Sequence, residues 1–238
     1  MQEKIIVVIP ARGGSKRFPG KNIYPLNGKP LISYPIQAAK ASKLVDRVIV
    51  STDDEEIAKV ARKFGAEIPF MRPSDLATDN SAVVETMTHL VLELQKREGY
   101  KADYAVLLQA ATPLVETEQI DSVIRLAIDK NADSVVTVGQ VNTVNHPYNI
   151  RTIKDDGTMK FWQEDLHYEY LTKEKEKFYF PANIWLSSFN TLVNHKKLEG
   201  EKNYPFIVKP IYGLDIDYKE DLELIEAWMV YKKNKFLN

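Results

Sequence analysis

Pro10 to Asn22 reads Pro-Ala-Arg-Gly-Gly-Ser-Lys-Arg-Phe-Pro-Gly-Lys-Asn and gathers the groups that bind anions. Gly13 and Gly14 let the backbone turn sharply and aim N–H groups at a negative charge. Ser15 adds a hydroxyl donor, and Arg12, Lys16 and Lys21 place three cations within ten residues. Clustered donors of this kind suit a triphosphate. The spacing fits neither the Walker A phosphate loop nor the spaced-glycine dinucleotide fingerprint, so both classes are disfavoured. A basic surface turn with glycines for geometry is the plain alternative. The segment's position directly after an apolar strand argues against it, because open α/β sheets bind ligands outside the carboxyl ends of their strands.

Leu214-Asp215-Ile216-Asp217 carries the second chemical signal. On a strand, carboxylates two apart project from one face. Asp215 and Asp217 therefore read as a shared Mg²⁺ site, since Mg²⁺ takes hard oxygen ligands and leaves positions for substrate phosphates. The competing reading is one helix-capping carboxylate and one exposed one, with Asp217 near the start of the last helix. Asp53-Asp54 makes a weaker pair, and capping of the following helix explains Asp53 better. The histidines at 89, 146, 167 and 195 lack ligand spacing. Ser15 and Ser51 have no histidine in a nucleophile pattern, and the chain has no cysteine, so triads, thiolate chemistry and disulfides drop out.

These residues need elements to position them. Ile5 to Ile9 is a continuous β-branched run, as in a strand buried on both faces. Pro30 to Lys43 has helical spacing, followed by a strand over 45–50. Thr52 or Asp53 caps a helix from Glu55 to Phe64, which Gly65 ends. A short strand over 66–70, a helix from Ser81 to about Lys96, a strand over 105–108, a helix over 120–131 and a strand over 134–138 follow. This alternation predicts right-handed crossovers and a parallel sheet with helices on both faces. Residues 140–182 break the rhythm with His146-Pro147-Tyr148, the turn Lys154-Asp155-Asp156-Gly157 and the charged run Lys173 to Lys177. They read as an inserted hairpin or arm for dimerisation, or as a solvated surface excursion. The aromatic group Phe178-Tyr179-Phe180 reads as core or interface. Strand character returns at 184–186 and 207–208, and a helix over 221–231 closes a single domain.

With 32 basic residues against 33 acidic, the formal charge of −1 leaves no excess to drive binding to nucleic acid or an anionic membrane. No run is long enough to span a bilayer, and a cytoplasmic enzyme is expected.

The opening block resembles the signature of the acylneuraminate cytidylyltransferases. The likeness continues through Val48-Ile49-Val50-Ser51-Thr52-Asp53, Arg72-Pro73 with Leu76-Ala77-x-Asp79, Leu107-Leu108-Gln109 with Pro113-Leu114, and Asp215-Ile216-Asp217 with Asp221-Leu222. These blocks keep the family's order over nearly the whole chain. The resemblance implies a Rossmann-like three-layer nucleotidyltransferase fold with a small inserted arm, usually dimeric. It implies CTP bound along Ala11 to Lys16, with Arg12, Ser15, Lys16 and Lys21 on the phosphates and Asn22 at the ribose. Arg72 and the backbone near Asn80 would read the base, and Gln109 and Asp215 would face the sugar acceptor. Arg12, Lys16 and Asp217 would be catalytic, with Mg²⁺ on the two aspartates.

Some acceptor-side positions depart from the sialic acid pattern. Gln109-Ala110-Ala111-Thr112-Pro113-Leu114-Val115 lacks the arginine that ends the family's version, and Asn149 stands where a lysine is common. Pro181-Ala182-Asn183-Ile184-Trp185 replaces Asn-Gly-Ala-Ile-Tyr. These changes imply another nonulosonic acid, such as legionaminic or pseudaminic acid, or a sugar 1-phosphate. Two rivals stand beside this reading: an enzyme using GTP and a hexosamine 1-phosphate, and a non-catalytic nucleotide-binding protein.

Overall fold

The computed structural model describes residues 3–163 and 176–235. In chain order its strands are β1 (Ile5–Pro10), β2 (Pro25–Leu26), β3 (Lys29–Pro30), β4 (Arg47–Ser51) and β5 (Tyr104–Leu108). They continue with β6 (Ser134–Gln140), β7 (Arg151–Ile153), β8 (Met159–Phe161), β9 (Tyr179–Ser188) and β10 (Asn203–Val208). The main sheet runs β10-β6-β9-β5-β1-β4. Pairing is parallel except at β9, which lies antiparallel between β5 and β6.

Why β1 belongs at the centre follows from its side chains. Successive residues of a strand face opposite sides, and here both sides are buried. Ile5, Val7 and Ile9 pack with helices α1 (Ser33–Ala41), α2 (Glu55–Lys63) and α4 (Thr117–Lys130), through Ile36, Ala39, Ile57, Ala61, Ile120 and Ile124. Ile6 and Val8 face the other way, onto Met87, Leu90 and Leu94 of α3 (Val83–Glu98) and Leu192 of α5 (Phe189–Val193). Each such buried side chain contributes roughly 1.5–3 kcal/mol. The expected three-layer α/β fold with a mostly parallel sheet is what forms.

Local corrections are physical. Asp54, not Thr52 or Asp53, caps α2: its carboxylate accepts the N–H groups of Glu56 and Ile57 at 2.8 and 3.0 Å. Glu55 and Glu56 in the first turn and Arg62 and Lys63 in the last complement the helix dipole. Gly65, at φ 89, takes the left-handed conformation that stops the helix, as expected. Residues 66–70 make only a single bridge, Glu67 beside Ile49. The long helix begins at Val83 rather than Ser81.

Within 140–182 a hairpin does form, β7 pairing antiparallel with β8 about the predicted turn, where the Gly157 N–H reaches the Lys154 carbonyl. Residues 173–175 of the charged run lie outside the described residues. Phe180 enters β9. A third apolar cluster joins Phe18, Leu26 and Leu31 to Ala111, Leu114 and Ile216, and to Leu222 and Ile225 of the closing helix α6 (Glu220–Lys235). This cluster fixes the loop after β1 against the last quarter of the chain.

Candidate active site

The chain leaves β1 for β4 on one side and later returns to β5 on the other. That reversal opens a crevice at the carboxyl ends of β1 and β5, the place where such sheets take ligands. A cleft of about 330 Å³ lies there. Ala11, Arg12, Lys21 and Asn22 line it from the first loop, Arg72 and Asp79 from the second, Gln109 from the end of β5, and Asp215 from the far end of the sequence. Gly13, Gly14, Ser15, Lys16, Asn80 and Asp217 do not line it.

The first loop is fastened to its surroundings. The Ala11 N–H donates to the Ser51 carbonyl at 2.9 Å, and the buried Asn22 amide donates to the Arg12 carbonyl at 3.0 Å. Gly13 turns its N–H inward to Asp53 Oδ1 at 3.1 Å rather than offering it to an anion. Its glycine identity has a steric cause, since a Cβ there would come 2.5 Å from the Asp54 carboxylate. Gly13→Ala is therefore expected to cost about 1–3 kcal/mol, the usual range for overpacking, visible as a lower Tm. Gly14 has open space about it.

Asp79 acts as counter-charge to the loop. Arg12 meets its carboxylate at 2.8 Å, and Lys16 meets the other oxygen. The Lys16 hydrogen bond, with Arg12 beside it, holds the Asp79 carboxyl below its ordinary range. An incoming polyphosphate finds both cations gathered at the rim of the cleft.

Arg72 is of a different kind. Its side chain is only 5 % exposed. Nε and Nη2 have no hydrogen-bond partner, Asp53 lies 3.6 Å away, and Thr86 Oγ1 takes Nη1 at a long 3.4 Å. Burial lowers its pKa from the ordinary arginine value, with Asp53 partly opposing. A buried guanidinium with idle donors on a cleft wall is arranged to receive acceptors from a ligand.

The acidic pair departs from the expected geometry. Leu214 to Asp217 is not a strand. It is an irregular segment held by the Ile216 N–H on the Ala111 carbonyl at 3.0 Å and by Lys21 Nζ on the Ile216 carbonyl at 2.6 Å. The two-residue spacing therefore does not set both carboxylates on one sheet face. Asp215 opens onto the cleft, yet the protein around it displaces enough water to raise its pKa, with Lys21 opposing and Asp217 adding to the rise. Asp217 is held by Arg17 at 2.7 Å and Lys21 at 3.2 Å. It caps nothing: Asp221 turns back to accept the Asp217 and Tyr218 N–H groups. The first loop and the late acidic segment do converge, through Lys21.

Asp79, Arg17 and Asp53 were missed as site residues. Asp79 had a signal, since cations this dense require an acid nearby. Arg17 is the fourth cation of the same run. Asp53 was assigned the cap that its neighbour holds.

Comparison with known proteins follows the same lines. Residues 6–238 match the family model described as Cytidylyltransferase. The chain is 33 % identical over 95 % of its length to a CMP-N,N'-diacetyllegionaminic acid synthase of Legionella pneumophila, covering 96 % of that protein. It is 30 % identical to a pseudaminic acid cytidylyltransferase of Campylobacter jejuni, with 97 % of each chain covered. An N-acylneuraminate cytidylyltransferase of Escherichia coli is 31 % identical over 99 % of this chain, which spans 54 % of that longer relative. Among solved structures, a CMP:2-keto-3-deoxy-manno-octonic acid synthetase complexed with CTP has a TM-score of 0.70 at 18 % identity, covering 97 % of this chain and 100 % of the other, and supports the fold. The chain belongs to the cytidylyltransferase family and is a nucleotidyltransferase.

Proposed function

We propose that this enzyme transfers CMP from CTP to a nonulosonic acid. The sugar hydroxyl oxygen bonds to the α-phosphorus, the bond from that phosphorus to the bridging oxygen breaks, and pyrophosphate leaves with its electron pair. The single observation that carries the reading is one cleft shared by Arg12, Lys21, Arg72, Gln109 and Asp215. Its relatives' names supply the nucleotide and the acceptor class.

Catalysis in such a site is alignment and charge neutralisation. Arg12 and Lys16, released from Asp79, take the charge developing toward pyrophosphate. Lys21 sits between the phosphates and the acidic segment. Arg72 supplies buried donors to the base, Asn22 holds the loop at the ribose, and Gln109 faces the acceptor. The Ser15 hydroxyl and the loop backbone from Ala11 to Gly14, with that near Asn80, complete the nucleotide contacts.

Mg²⁺ belongs at Asp215 and Asp217 in this reading. The Asp215 carboxylate has no side-chain hydrogen bond among the described residues, and no trio of metal-binding side chains surrounds it there. A site of two carboxylates completed by substrate oxygens is what Mg²⁺ accepts. When bound, the ion polarises the α-phosphate. Asp217→Ala should abolish turnover while the exposed ion pairs it removes cost little stability. Near-normal activity in that variant removes the metal assignment.

A homodimer is part of the same reading. Ile153 on β7, Met159 on β8 and the neighbouring Trp162 are 77 %, 62 % and 58 % exposed, an apolar face for a second copy to cover. Among the described residues no helix is long and apolar enough to cross a membrane, and we place the enzyme in the cytoplasm. Pyrophosphate release tests the activity: CTP with an N-acylated nonulosonic acid should release it. Release with GTP and a hexosamine 1-phosphate instead, or CTP binding without release for any acidic sugar, defeats the proposal.

A further inference from the structure

A second cavity, of about 480 Å³, lies on the same carboxyl edge of the sheet, beyond β5. Gln140 ends β6, Phe180 begins the antiparallel β9, and Pro210 follows β10, so all three strands deliver residues to it. Leu214 lines this cavity and the next residue, Asp215, lines the nucleotide cleft. The two therefore meet across one peptide bond.

Phe180 is built into its wall. A Cβ on Gly139 would come 2.8 Å from the ring, and one on Gly213 would come 2.7 Å from it. Both contacts are closer than a real Cβ tolerates, so the two glycines grip the ring and fix its orientation. Ile211, Leu214 and Leu224 extend the apolar surface. The polar lining consists of amides, at Gln140, Asn142 and Asn145, and among the described residues no charged or hydroxyl side chain lines the cavity. The Asn142 side-chain carbonyl already accepts the Asn145 N–H at 2.8 Å, which leaves its NH₂ to donate.

We infer that this cavity is the acceptor subsite and selects a nonulosonic acid with acylated amines and a terminal methyl over one ending in hydroxylated carbons. The argument rests on the cytidylyl-transfer reading above. An acyl carbonyl accepts from a neutral amide such as Asn142, and a methyl fits against Phe180, Ile211 and Leu214. A terminal hydroxyl would lose water there and gain no partner. An apolar pocket discriminates against one added hydroxyl by about 10².

The test uses the full chain with CTP and two N-acylated nonulosonic acids that differ at the terminal carbon, methyl against hydroxymethyl. The methyl acceptor should show a kcat/KM about 10² higher by pyrophosphate release. Ile211→Asn, and separately Leu224→Asn on the exposed side of α6, should narrow that ratio about tenfold. CTP affinity by calorimetry should stay unchanged in both, since neither residue lines the nucleotide cleft. Equal use of the two acceptors, preference for the hydroxymethyl sugar, or an unaltered ratio in both variants overturns the subsite alone. No pyrophosphate from either acceptor overturns the cytidylyl-transfer reading and the subsite with it.

Discussion

Asp215→Asn is expected to lose turnover by on the order of 10³ and yet to melt at a higher temperature than the parent protein at neutral pH. The two effects have one cause. The surrounding protein raises the Asp215 pKa because it displaces water from the carboxylate, and Asp217 adds to the rise. A carboxyl whose pKa is raised on folding binds its proton more tightly in the folded state than in the unfolded chain. Its contribution to stability is therefore fully present below the unfolded value and is lost as pH rises through the folded one. At neutral pH the parent protein holds an ionised carboxylate at a cost, and asparagine removes that cost while keeping the shape. Thermal melts across the acid range check the sign. The gap in Tm should close as pH falls into the carboxylate range, and a variant that melts lower at neutral pH contradicts the argument. Turnover of the parent should also fall in acid at a pH above that expected for an ordinary aspartate, read from kcat/KM against pH.

Arg72→Met is expected to weaken CTP binding by about 10², since one charge-assisted hydrogen bond is worth roughly 1.5–3 kcal/mol and every 1.4 kcal/mol is tenfold. The unliganded protein should become more stable, not less. A guanidinium with two nitrogens unpaired inside protein is costly to hold, and a flexible apolar side chain of similar length fills the same space. Asp53 keeps the Gly13 N–H as a partner, so it is not stranded. Calorimetry of CTP binding and a melt without nucleotide separate the outcomes. A lower Tm with unchanged CTP affinity makes Arg72 a structural residue and removes it from the site.

How much was readable in the sequence depends on the range of the interaction. The strands at Ile5, Val48, Val106 and Val135 announced themselves because burial on both faces requires unbroken β-branched or aliphatic runs. The helix stop at Gly65 was equally local. Asp53 and Asp54 were confused because either could cap α2, and the choice depends on which side chain turns toward the helix and which toward Gly13 and Arg72. The antiparallel sense of β9 has no local signature, since a strand's sequence does not record its direction. Asp215 and Asp217 were assigned a strand because alternation favours one. Tethers from Ala111 and Lys21 impose another path, and those come from remote parts of the chain. The grouping of Arg12, Lys21, Arg72, Gln109 and Asp215 was foreseen through the order of the blocks, whereas the pairing of Asp79 with Arg12 and Lys16 needed coordinates.

Lys21 bonds to a carbonyl 195 residues further along. During synthesis the glycine-rich turn emerges early, and its lysine must wait for Ile216 and Asp217 before it is held in place. A ribosome paused after β10 would carry nearly all of the sheet and still lack the tether that aims this cation. Nucleotide capture therefore reports on the completed polypeptide, and a fragment truncated just before Leu214 should fail to retain CTP even where its strands have paired.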